Sequence, residues 1–219
     1  KIIPKEYLSL VKKGFINIHA SILPKWRGAA PIQRSIMNLE KETGISVMKI
    51  EEKLDTGPVC NSYKVEIMAD DNSETITEKL SALAAEKILD NIDEILEGKI
   101  DFKEQKHSEA SYAAKIEKTE GQIKWDETAE KIIGKINGLY PSPGAFFIYN
   151  GERYKILKAS LALGSGEIGE VLDNYLEISC GNKKSIKVLE VQRQGKRPQN
   201  IGEFMLGSQI KKGSNLNNA

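Results

Sequence analysis

Residues 15–34 read FINIHASILPKWRGAAPIQR. Phe15–His19 is a short apolar run of strand type, Ala20–Ala30 is a loop carrying Pro24 and Gly28, and Pro31 stands where an N1 proline opens a helix to about Leu39. In a strand, residues i and i+2 point to one face. The amide of Asn17 and the imidazole of His19 therefore stand side by side at a strand end, just before the loop. Ligands of α/β sheets collect at the carboxyl ends of strands. Two donors converging there can hold a carbonyl oxygen as it becomes an oxyanion. A capped strand end with a surface histidine fits the same spacing.

The flanks extend the pattern. Residues 5–13 form a short amphipathic helix stopped by Gly14. Thr43–Ile50 and Val59–Ile67 read as strands around the turn Glu51–Pro58. Asp70–Glu97 is the longest helical pattern, with Ile76, Leu80, Leu83, Ile88, Ile92 and Leu96 on one face, Ser73 as cap and Gly98 as stop. Strands alternating with helices give an α/β class. A parallel sheet of that class needs several βα units, and residues 1–100 supply only its tail. The chain starts at Lys1 without methionine, and we expect it to be a fragment. Within the turn, Leu54-Asp55-Thr56-Gly57-Pro58 can project the Asp55 carboxylate into a cleft, where it orients an imidazole or a water. An aspartate bonding its own turn backbone is the plainer alternative.

Beyond residue 102 the texture changes. Phe102–Ala114 is polar and suits a connector, and His107 within it reads as a surface residue. Residues 126–137 form one more helix. Apolar runs at 145–150, 153–161, 168–172, 175–179 and 185–191 follow, separated by turn formers such as Asn150-Gly151 and Gly181-Asn182. Five short strands of this kind point to a small antiparallel barrel.

Composition narrows the function classes. The chain has 219 residues, 40% hydrophobic and 29% charged, which excludes a disordered or fibrous chain. No apolar run approaches the roughly 20 residues of a membrane span. A net charge of +1 argues against a strongly basic nucleic-acid coat but leaves room for a local patch. Two isolated cysteines, Cys60 and Cys180, make neither a disulfide framework nor a metal cage, and read as small buried side chains.

NIHASILPKWRGAAPIQRSI, followed by ETGISVMKIEEKLDTGPV and the closing QGKRPQNIGEFMLGSQIKKGSNL, resembles the methionyl-tRNA formyltransferases. The wider folate-dependent formyltransferases share the Asn-x-His, the Ser-Leu-Leu-Pro and the Asp-Thr-Gly. The WRGAAPIQR loop is more particular to the tRNA enzymes. The resemblance implies a Rossmann-like catalytic part at residues 1–102, a linker at 103–118 and an OB-like tRNA-binding domain at 119–219, with roughly the first third of the family's length outside this chain. It implies Asn17, His19 and Asp55 as the catalytic trio and Ser21, Ile22, Leu23 and Pro24 as the folate-contacting turn, with Ile22 where leucine is usual. It implies 10-formyltetrahydrofolate as co-substrate without a metal, initiator methionyl-tRNA as partner, a monomer, and a cytoplasmic or organellar location. Lys25, Arg27, Arg153, Lys155, Lys196 and Arg197 are the expected tRNA contacts, because phosphate binding needs cations on one face.

Overall fold

The computed structural model describes residues 4–8, 10–11 and 14–217. The chain divides into two compact units, residues 1–35 with 40–115, and residues 36–39 with 116–219. In chain order, the first part holds α1 (Lys5–Leu8), β1 (Ile16–His19), β2 (Arg27–Gly28), α2 (Pro31–Met37), β3 (Glu42–Lys49), β4 (Val59–Glu66), α3 (Ser73–Glu97) and β5 (Tyr112–Ala113). Of the helix expected over 5–13, α1 is the helical part; Leu10 and Val11 lie in a bend, and residues 9, 12 and 13 fall outside the described residues.

The sheet of this unit runs β1-β3-β4, and both pairings are antiparallel. The parallel sheet expected from the βα alternation is therefore not what these three strands make. The link between β3 and β4 is the short turn 50–58, and a link of that length can only return the chain antiparallel. Parallel pairing occurs instead between β2 and β5, with Arg27 opposite Tyr112 and Gly28 opposite Ala113. Of the linker expected over 103–118, residues 103–115 belong by their contacts to the first unit.

α3 is capped one residue before the expected position. Asn72 is extended and its side chain accepts the amides of Glu74 and Thr75, while Thr75 Oγ1 accepts the Asn72 amide in return. Two orphan donors are satisfied at once, so the helix starts there. Ser73 is helical and buried. Gly98 ends the helix in the left-handed region, as expected. The buried stripe is Ile76, Leu80, Asn91 and Ile95, whereas Leu96, expected on the inner face, is 52% exposed.

The second unit contains α4 (Ala129–Leu139), β6 (Ala145–Tyr149), β7 (Glu152–Ala162), β8 (Glu177–Ser179), β9 (Ser185–Arg193), β10 (Gln199–Asn200) and α5 (Ile201–Leu206). Its five strands form one antiparallel sheet in the order β10-β9-β7-β6, with β8 also paired to β9. The run at 168–172 is not a strand; it makes only single bridges, Glu170 to Asn215 and Val171 to Ile178. Val171 is nonetheless fully buried, so the apolar pattern reported burial and not a ladder. The core gathers Ile132 and Ile136 of α4 with Phe147, Ile156, Ile178 and Val188 of the sheet. Trp125, Phe147, Tyr154 and Phe204 form a chain of ring contacts at 5.3–5.9 Å between centroids. Such contacts add about 0.5–1.5 kcal/mol each beyond their buried area.

Candidate active site

β1 delivers Asn17 and His19 as the period of two requires. Asn17 lies opposite Met48 and His19 opposite Ser46 on β3. Asn17 is half-buried and His19 is 6% exposed. The His19 ring is held at both nitrogens. Nε2 lies 2.9 Å from the Trp26 carbonyl oxygen, which can only accept, so Nε2 carries the hydrogen of that bond. Nδ1 faces Asp55 Oδ2 at 3.7 Å, an ion-pair distance beyond hydrogen-bond reach. Asn17 and His19 thus stand two apart on one strand, and the surface-histidine alternative fails on burial.

Asp55 reaches this position from a turn, with φ of 51°. That is the left-handed region, uncommon for a residue with a Cβ. Its carboxylate reaches outside its own turn, where the plainer alternative kept it. Oδ2 instead accepts the Gly28 amide at 2.8 Å. Gly28 has φ of 122°, and a Cβ there would stand 2.6 Å from the Ala113 carbonyl oxygen. Glycine is thus required twice over, by conformation and by the close approach of β5.

The loop 20–26 is wired to the sheet. Ser21 is fully buried and its Oγ donates to the Lys25 carbonyl at 2.6 Å. Ser46 Oγ donates to the Ser21 carbonyl and accepts the Leu23 amide. Leu23 is buried, while Ile22 and Pro24 are half-buried. A Cβ on Gly44 would stand 2.1 Å from the Tyr63 carbonyl oxygen of β4 and 2.4 Å from Ile22 Cδ1, so β3 needs its glycine where the loop settles on it.

Lys25 is exposed and lies 3.6 Å from Glu40. Arg27, expected beside it as a tRNA contact, is 1% exposed; its guanidinium donates to Gln105 and to His107 Nδ1. His107 is exposed, as expected, yet bonded. Arg27, His107, Tyr112 and the turn residues Ile50–Lys53 line a cavity of about 1140 Å³. Gln105 and Ser111, whose Oγ accepts the Trp26 amide at 2.9 Å, escaped the sequence reading. Both are neutral residues in a polar stretch, and no local signal marks them.

On the second unit, Arg153, Lys155 and Arg193 line one cavity of about 300 Å³. Arg193, Lys196 and Arg197 line a neighbouring one of about 350 Å³. Arg193 thus joins the two expected cation pairs. The Arg153 guanidinium lies over the Phe146 ring at 3.6 Å from its centroid. Arg193, hydrogen-bonded to Glu152, holds that carboxyl below its usual range, and the Tyr154 hydroxyl adds to this. Burial pushes the Tyr154 hydroxyl up to about 12, and Glu152 adds to the rise.

The family described as "Formyl transferase" matches residues 1–92, and "Formyl transferase, C-terminal domain" matches residues 115–209. A methionyl-tRNA formyltransferase of Pelagibacter ubique is 72% identical over 218 residues, covering 100% of this chain and 70% of the relative. The solved structure of a methionyl-tRNA formyltransferase from Clostridium thermocellum is 29% identical, with a TM-score of 0.59, over 73% of this chain and 68% of that one. WlaRD, a sugar 3N-formyl transferase crystallised with dTDP and 5-N-formyl-THF, shares the fold at a TM-score of 0.69 and 24% identity, over 84% of this chain and 66% of that one. Both units thus carry formyltransferase signatures, Rossmann-like in the first and an antiparallel sheet in the second. With that identity along its whole length, the chain belongs to the methionyl-tRNA formyltransferase family.

Proposed function

We propose that this chain transfers the formyl group of 10-formyltetrahydrofolate to the α-amino group of methionyl initiator tRNA, the charged tRNA that starts translation. The observation that carries the reading is the buried His19–Asp55 pair at the end of β1, with Asn17 two residues before the histidine. These groups fit a formyl amide: two donors for its oxygen and a carboxylate beside them.

The folate supplies the formyl carbon and leaves through N10. The chain's residues do the rest. The Asn17 amide and the His19 Nε2–H take the formyl oxygen as charge grows on it during attack by the amine. His19 exchanges a neutral acceptor, the Trp26 carbonyl, for a charged one. That gain exists only in the transition state, so it raises kcat and leaves substrate binding alone. One such donor is typically worth about 3–4 kcal/mol. Asp55, fixed by the Gly28 amide, keeps Nδ1 oriented and holds the water through which the amine's proton leaves. This route needs neither a metal nor a covalent enzyme intermediate. Ser21, Ile22, Leu23 and Pro24 form the turn that meets the folate: Ile22 and Pro24 keep half-buried side chains for it, while buried Ser21 and Leu23 hold the turn from inside.

In this reading the first unit, which takes in residues 103–115, is catalytic, and the second is an OB-like barrel that grips the tRNA through Arg153, Lys155, Lys196 and Arg197, with Lys25 of the loop as a further contact. The protein acts as a monomer in the cytoplasm, or in an organelle of a eukaryote.

The test is formyl transfer from labelled 10-formyltetrahydrofolate to methionyl initiator tRNA, with the chain expressed in its full reading frame. Transfer that disappears in His19→Ala supports the reading. Folate turnover without formylated tRNA would replace it with a hydrolase or a small-amine formyltransferase.

A further inference from the structure

We propose that Gln105 is the positioning residue of this site. Its one amide group ties the Asp55 turn to the Trp26–Gly28 segment, and so sets where the Asp55 carboxylate and the His19 ring stand. The proposal rests on the reading of His19 and Asp55 given above.

Gln105 is 8% exposed. Its Oε1 accepts Arg27 Nε at 3.1 Å and Arg27 Nη2 at 2.7 Å. Its Nε2 donates to the carbonyl oxygens of Asp55 at 2.9 Å and Gly57 at 2.7 Å. A primary amide has two N–H groups and two acceptor lone pairs, and all four are engaged. The partners also fix its orientation. A guanidinium only donates and a carbonyl only accepts, so a flipped amide would lose all four bonds.

Both ends of this bridge lead to the same carboxylate. On the turn side, the bonded carbonyls belong to Asp55 itself and to Gly57. Asp55 occupies the left-handed region, which a residue with a Cβ keeps only where the surroundings impose it. On the other side, Arg27 is followed by Gly28, whose amide holds Asp55 Oδ2, and preceded by Trp26, whose carbonyl holds His19 Nε2. Gln105, Arg27, Gly28 and Asp55 therefore close a ring, and the 3.7 Å between His19 and Asp55 is set by it.

Economy of folding does not explain the arrangement. Arg27 is a buried cation whose hydrogen-bond partners, Gln105 and His107, are neutral side chains. Apolar residues of similar volume often replace buried charged groups at no loss of stability. A misplacement of about 1 Å at a reacting centre, by contrast, costs about 10²-fold in rate. That is the quantity this network protects.

The diagnostic variant is Gln105→Glu in the full-length enzyme. It is nearly isosteric. It keeps an acceptor for Arg27 and turns that contact into an ion pair, but it sets an oxygen against the carbonyls of Asp55 and Gly57. One end of the bridge is kept and the turn end is cut. We expect kcat to fall about 10- to 100-fold, with KM for folate and for tRNA within about threefold and a lowered thermal midpoint, since two carbonyls lose their donor. Combined with Asp55→Asn, it should lower kcat no more than about threefold below Asp55→Asn alone, because both changes act through one carboxylate. The ring resonances of His19, one of two histidines in the chain, should move in Gln105→Glu in the direction they move in Asp55→Asn.

A Gln105→Glu enzyme with near-normal kcat beside an impaired Asp55→Asn overturns the proposal. So do fully additive losses in the double variant. Should Gln105→Glu fail to fold, Gln105→Met, of equal length and without hydrogen bonds, is read the same way. If neither folds, Gln105 is a structural residue and the proposal falls. An Asp55→Asn enzyme of normal activity would instead remove the reading of the site on which the proposal stands.

Discussion

His19, Asp55 and Arg27 in the first unit and Arg153, Arg193 and Lys196 in the second are all charged or chargeable groups, held in opposite ways. The first set is at least four-fifths buried and bonded mostly to neutral amides and carbonyls: Gly28 on Asp55, Trp26 on His19, Gln105 on Arg27. The second set lines small cavities; Arg193 is paired with Glu152, and Arg153 lies over the Phe146 ring. Buried neutral partners fix geometry without cancelling charge, as chemistry requires. Partners at the surface leave cations screened and exchangeable, which suits a polyanion gripped at many points. One region is built to be exact and the other to be redundant.

That difference can be broken most forcefully at His19. His19→Ala should lower kcat for formyl transfer by about 10²–10³-fold with tRNA affinity intact; a filter-binding assay beside single-turnover kinetics reads both. Gly28→Ala comes next. The added Cβ meets the Ala113 carbonyl at a φ that side chains rarely adopt, so a loss of about 2–3 kcal/mol is expected by urea denaturation. A smaller effect follows from Arg153→Ala with Arg193→Ala. Affinity for tRNA should fall several-fold, while kcat at saturating tRNA stays put. The salt slope of log K should flatten by about 0.7–0.9 for each phosphate that the protein ceases to neutralise. An unchanged salt slope would take this face out of the interface.

A last effect, on stability alone, sharpens the contrast with a third kind of charge. Burial alone would raise the Asp71 carboxyl, but Lys79, the Met68 amide and the Thr75 hydroxyl outweigh it and hold the carboxyl below its usual value. A carboxyl depressed in the folded state contributes stability above its unfolded pKa and loses it as pH falls through the folded value. Asp71→Asn should therefore cost about 1–2 kcal/mol at pH 7, and the gap to the parent should close in acid below the ordinary carboxylate range. Thermal melts from pH 7 to 3 would read the closing.

What the sequence disclosed followed from local rules. Asn17 and His19 were legible because a strand has a period of two, Asp55 because Asp-Thr-Gly-Pro is turn chemistry, and Gly98 because a helix ends on a left-handed residue. Direct hydrogen bonds at long separation were not. Gln105 meets Arg27 across 78 residues, and a glutamine in a polar stretch carries no mark of that. Arg27 was expected on the surface because it adjoins Lys25 and Trp26, and burial of a cation depends on a partner far along the chain. The antiparallel order β1-β3-β4 was hidden for a related reason: alternation of strands and helices sets the class of a fold, not the direction of each pairing.

The parallel pairing of β2 with β5 has a consequence in time. Trp26 and Ser111, which meet at its edge, are 85 residues apart. At about 5–20 residues per second of synthesis, roughly 4–17 s separate the emergence of the two. Until then β1, β3 and β4 can pair, but the Trp26 carbonyl lacks the anchor that aims it at His19. The reaction centre is thus among the last parts of its unit to mature on the ribosome, and a chain cut short before Tyr112 would carry His19 and Asp55 without the frame that joins them.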